Sequence, residues 1–121
     1  MFRLFSTLFF ILIVTSCGKS LPELENLDLS AWKKDKNACG EYRTNHIEAL
    51  QNQKEKLLAL KESQIIELLG RPDRNELYKR NQKFFYYYLM RSPDCPNAST
   101  ESKRLAIRFN AMGLAKEVAV E

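Results

Sequence analysis

The chain reads as an α+β domain: two helices packed on one face of a three- to four-stranded antiparallel meander. Three observations predict this. Helix-favouring residues with helical apolar spacing occupy the middle of the chain and stop at Gly70 and Pro72. Beyond Asp73 the apolar residues alternate instead, which is the period of a strand. Helices first and consecutive strands after them segregate the helices onto one side of a sheet.

The first residues stand outside that domain. A single positive charge, Arg3, precedes an apolar run from Leu4 to Val14, eleven residues long. A membrane-spanning helix needs about 20 apolar residues, whereas the core of a cleaved signal needs roughly 7–15. The run ends Val14-Thr15-Ser16-Cys17. Small residues directly before a cysteine resemble the lipobox of bacterial lipoproteins, the other reading being an ordinary signal with an incidental cysteine. The resemblance implies that residues 1–16 are a signal peptide and that Cys17 carries the lipid on the outer side of the inner membrane. Two or more acyl chains hold a protein on a bilayer where one binds marginally. Gly18, in place of the aspartate that favours inner-membrane retention in many Gram-negative systems, favours the outer membrane, facing the periplasm.

Cleavage after Ser16 leaves 105 of the 121 residues, enough for one small domain. Loss of Arg3 lowers the net charge from +4 to +3. That charge is mild and unclustered, so no nucleic-acid partner is expected, although it favours anionic headgroups modestly. Cys39 and Cys95 remain, and an even count in a small exported domain predicts a disulfide, with two free buried thiols as the alternative. One histidine and the absence of CxxC spacing argue against a metal site, and no cofactor is expected.

Residues 17–27 read as a lipidated tether containing Pro22, and residues 28–121 as the single domain. Asp28 or Ser30 can cap a helix whose Trp32 enters the core. A break is expected at Asn37 to Gly40. Ile47, Leu50, Leu57 and Leu58 predict one long amphipathic helix from Glu41 to about Leu58. Glu62–Leu69 predicts a second, closed by Gly70 and Pro72, with Ile65, Leu68 and Leu69 facing inward. Leu77-Tyr78 begins an edge strand, and Asn81-Gln82 makes a turn. Lys83–Arg91 is an aromatic strand, and Ser92–Thr100 is a loop with two prolines and Cys95. Leu105, Ile107 and Phe109 alternate along a half-buried strand, Asn110–Gly113 turns it, and Leu114–Val120 returns.

This order resembles the SmpA/OmlA (BamE-like) lipoprotein domain, with its ααβββ layout. The pieces that carry the resemblance are Leu69-Gly70-x-Pro72, Tyr87-x-Leu89, and Phe109-Asn110 through Gly113, over roughly residues 58–120. Lys61 stands where that family usually has a capping Ser or Thr, and the segment from Trp32 to Leu58 exceeds the common pattern. The resemblance implies a non-enzymatic interaction or scaffold protein with an envelope protein partner, in outer-membrane protein assembly or envelope maintenance. A rival from another class is an envelope inhibitor or ligand-binding module, because the architecture also resembles β-lactamase-inhibitor-like domains.

No catalytic constellation is visible. His46 has polar neighbours and reads as a solvated surface side chain. The aromatic strand carries two rows, Phe85, Tyr87 and Leu89 on one side and Phe84, Tyr86, Tyr88 and Met90 on the other. The resemblance puts Tyr87 and Leu89 inside, which turns Tyr86 and Tyr88 outward beside Arg104 and Arg108 of the next strand. Tyrosine beside arginine is an interface composition, so these four form the candidate interaction patch. The other reading is that the rows shield one another through cation–π contact.

Overall fold

The computed structural model describes residues 19–121. The signal expected over 1–16 and the lipid-bearing Cys17 lie outside them. The described chain is α+β, with short helices on one face of a four-stranded antiparallel meander in the order β1-β2-β3-β4. None of the described helices is long and apolar enough to cross a membrane.

Helix α1 spans Leu29–Lys34. The Asp28 carboxylate accepts from the free amides of Ser30 and Ala31 at 3.0 and 3.3 Å, which is the N-cap the sequence suggests. Trp32 is fully buried and its indole N–H donates to Leu69 O at 3.0 Å. The expected break follows as a 3₁₀ turn, Lys36–Ala38, in which Asn37 has a left-handed φ of 60°.

The long helix expected from Glu41 to Leu58 is not formed. It is broken into α2 (Tyr42–Asn45), α3 (Ile47–Gln51) and a 3₁₀ turn, Lys54–Leu57. Side-chain demands at two positions override helix propensity. At the first break, His46 Nδ1 donates to Tyr42 O at 2.6 Å, taking the carbonyl that the helix ladder would use, and its ring stacks on Tyr42. At the second, Gln53 turns to the chain ahead of α1: its amide accepts from Glu25 N at 2.8 Å and donates to Glu25 O at 2.6 Å. The stretch read as a tether therefore lies along the body, as far as it is described. Leu24 is buried in the core, and Lys19 Nζ donates to Lys56 O and Leu58 O at 2.9 and 2.7 Å.

Helix α4, Glu62–Leu69, matches its expectation, with Ile65, Leu68 and Leu69 buried. Lys61 offers no capping oxygen, and its N–H is instead held by Gln64 Oε1 at 2.9 Å. Gly70 ends the helix at φ +80°.

The strands are β1 (Arg74–Tyr78), β2 (Gln82–Tyr88), β3 (Arg104–Phe109) and β4 (Ala115–Val120). β1 begins earlier than Leu77 and is exposed throughout. Its hairpin turns at Arg80 and Asn81, both at positive φ, so Gln82 is already in β2. β2 stops at Tyr88 rather than Arg91, because the amides of Leu89 and Met90 both turn to Lys103 O. Phe85, Tyr87, Leu89, Leu105, Ile107 and Phe109 face the helices and meet Trp32, Leu50, Leu57, Leu60 and the apolar side of α4 in one core. The burial of the Tyr87 and Leu89 row agrees with the expected facing.

Candidate interaction face

Register places all four patch residues on the sheet face away from the helices. Phe84 pairs with Arg108, Tyr86 with Ala106 and Tyr88 with Arg104, and alternate residues of a strand share a side. An aromatic row runs across this face. The Tyr78 ring meets Phe84 edge-on at 5.6 Å, Phe84 stacks on Tyr86 at 5.6 Å, and the Arg104 guanidinium lies 3.8 Å from the Tyr86 ring centroid.

The patch differs from the expectation in two respects. Tyr86 is outward-facing but only 6% exposed, because Phe84 and Arg104 cover it. Burial accordingly pushes its phenol above the ordinary tyrosine value, against the opposing pull of Arg104. The arginines are not free cations either. Arg104 Nε lies 3.0 Å from Glu121, and Arg108 Nη2 lies 3.0 Å from Glu117. The hydrogen bond and charge of Arg108 hold the Glu117 carboxyl below its usual value. The arginines of the face are thus paired, and what remains open on it is Arg74, Glu76 and Tyr78 of β1 and Glu117 of β4, with the half-buried Phe84, Tyr88, Arg104 and Arg108 around the covered Tyr86. The self-shielding reading and the patch reading both describe part of it. Glu117 and Glu121 were missed in the sequence: plain counting across the Asn110–Gly113 turn does not set Glu117 opposite Arg108, and a register shift between Arg108 and Phe109 brings it there.

Cys39 and Cys95 are joined, with an S–S distance of 2.04 Å and Cα atoms 5.4 Å apart. The bridge ties the chain between α1 and α2 to the β2–β3 loop. Beside it lies a buried ion pair that the sequence did not signal. Arg43 Nη1 and Asp73 Oδ2 are 2.7 Å apart, with side chains 1% and 4% exposed. Arg43 also donates from Nε to Trp32 O at 3.1 Å, and its guanidinium lies 4.5 Å from the Trp32 ring centroid. Asp73 accepts from Asn37 N at 3.0 Å and Tyr88 N at 2.8 Å. Every strong polar group here is engaged within the fold, which makes the pair a structural joint.

His46 is half-buried against Tyr42 rather than solvated. A shallow cleft of about 290 Å³ opens near the disulfide, between Glu41, Thr44 and Asn45 of the helical layer and Arg91, Ser99 and Glu101 of the loop. No His, Cys or Lys lines it. Among the described residues no group of three His, Cys, Asp or Glu is placed to hold a metal ion.

No protein-family model matches the chain, and neither a curated protein nor a solved structure is detectably similar to it.

Proposed function

We propose that this chain is a lipid-anchored protein of the cell envelope, at the outer membrane facing the periplasm, that acts by binding another envelope protein and not by catalysis. The observation that carries this reading is the eleven-residue apolar run that ends Thr15-Ser16-Cys17. The disulfide supports it, because such bonds persist in oxidising compartments outside the cytosol. The likeness of Leu69-Gly70-x-Pro72 and the strands after it to SmpA/OmlA domains supports a partner in outer-membrane protein assembly or envelope maintenance. The outer sheet face is the surface we assign to that partner: aromatic and rimmed by paired, half-buried arginines, a composition typical of protein interfaces.

Two measurements test the reading. Mass spectrometry of the mature protein should find Cys17 as an acylated N-terminus, and Cys17→Ser should accumulate unprocessed or leave the membrane fraction. An unmodified Cys17 in the mature protein sinks the anchor. Crosslinking pull-down of the lipidated protein should capture envelope assembly components. Capture of a hydrolase instead would make the protein an inhibitor.

A further inference from the structure

The hairpin register puts both tight turns of the sheet at one end. Leu77 pairs with Lys83, and Lys83 pairs with Phe109, so the β1–β2 turn and the Asn110–Gly113 turn lie side by side. Three of the most exposed large apolar side chains stand there: Leu77 at 84%, Tyr78 at 55% and Met112 at 82%. The same end is basic. Lys79 and Arg80 form the first turn, and Lys61 bridges to Leu114 beside the second. Gln64 joins Lys61 to Lys19, accepting from Lys61 N and donating to Lys19 O.

The two ends of the sheet differ in what accompanies their cations: among the described residues, the exposed apolar tips stand only at the turn end. At the disulfide end Arg74, Arg91 and Arg104 each sit within 3.0–3.6 Å of a carboxylate, and Lys36 and Lys103 have none within 4.0 Å among the described residues. At the turn end, among the described residues, Lys83 pairs with Glu62 at 2.8 Å, whereas Lys61, Lys79 and Arg80 have no carboxylate within 4.0 Å, and Lys19 Nζ is held only by two backbone carbonyls. Apolar tips surrounded by unneutralised cations match the chemistry of an anionic bilayer surface: apolar groups enter the headgroup boundary and cations meet lipid phosphates.

The position of the N-terminus selects that occupant over another protein. Lys19 is fastened to Lys56 O and Leu58 O, and Leu24 is sunk in the core. Two residues of chain reach at most about 7 Å, so a lipid on Cys17 would hold this end of the domain against the membrane. We propose that the turn end, Leu77 to Arg80 with Met112, Lys61 and Lys19, is the face on which the domain rests on anionic phospholipid. This inference rests on the Cys17 anchor proposed above. In this orientation Tyr78 belongs to the lipid face, and the rest of the outer sheet face, from Phe84 to Tyr88 with Arg104 and Arg108, stands upright from the bilayer, open to a periplasmic partner.

The test uses the full lipidated protein carrying Met112→Trp, reconstituted in vesicles with brominated acyl chains. Trp32 is buried and supplies the unquenched background. Flotation reads the anchor, and quenching of the added tryptophan reads the docking. Quenching in phosphatidylglycerol vesicles that falls severalfold in phosphatidylcholine vesicles, and in Lys79→Glu/Arg80→Glu, supports the proposal. Protein that floats without quenching overturns the docking face and leaves the anchor standing, as does burial of the introduced indole in a dimer at the same concentration. Equal quenching in both lipids overturns the anionic preference. Protein that fails to float overturns the anchor, and the docking face falls with it.

Discussion

Removing the Arg43 guanidinium leaves the Asp73 carboxylate buried with two backbone N–H donors and no cation. Breaking a buried ion pair from one side typically costs about 3–5 kcal/mol, so Arg43→Ala should lower the urea midpoint sharply. Arg43→Lys should recover only part of the loss, because an ammonium cannot donate to Trp32 O and Asp73 while lying flat over the indole. A loss below about 1 kcal/mol in Arg43→Ala would mean that water replaces the guanidinium without penalty. Glu117 shows the same chemistry at the surface. The hydrogen bond from Arg108 lowers its folded-state pKa. Its small contribution to stability is therefore present above the ordinary glutamate value and fades as pH falls through the lowered one. An NMR titration of Arg108→Ala should move the Glu117 midpoint upward. An unmoved midpoint would show that the pair does not persist in solution.

The disulfide acts between elements, linking residues 56 apart in sequence across the helix–sheet boundary. On the chain-entropy model a loop of this length contributes about 4 kcal/mol. Cys39→Ser/Cys95→Ser should unfold at markedly lower denaturant, and peptide mapping without reductant should find the two half-cystines linked. Two alkylatable thiols in the folded, exported protein would contradict the bridge. Gly70 governs the helix-to-strand corner. At φ +80° and ψ −177° it holds a conformation few side chains adopt, and a Cβ there would come within 3.1 Å of Lys33 Cγ. Gly70→Ala should cost about 1–3 kcal/mol, and unchanged stability would mean that the corner relaxes. These elements were legible because their causes are local. The Gly70 stop, the alternation from Leu105 to Phe109 and the Asp28 cap each lie within a few residues of sequence. The break in the expected long helix was not legible. Gln53 leaves helical geometry to hold Glu25, a partner 28 residues away that no periodicity reveals. The Arg43–Asp73 pair was hidden for the same reason, its partners lying 30 residues apart.

Across the whole molecule the four patch residues could be placed on one face from sequence, but their exposure could not, since covering depends on which side chain lies over which. That difference separates two truncations that the alternating pattern treats alike. Tyr86 is enclosed by Phe84 and Arg104, so Tyr86→Ala empties a filled site and should cost about 2–4 kcal/mol. Tyr88 is half-buried, and Arg108 is engaged in an ion pair with a largely exposed glutamate. Such pairs contribute about 0–1 kcal/mol. Tyr88→Ala with Arg108→Ala should therefore lower stability only modestly while weakening capture of the partner found by pull-down. Lys79→Glu/Arg80→Glu, at the turn end, should leave capture in detergent intact, because those side chains belong to the surface assigned to lipid. If the Tyr88/Arg108 variant stays folded and captures its partner undiminished, the outer face only shields its own aromatic row, and the binding surface must be sought elsewhere.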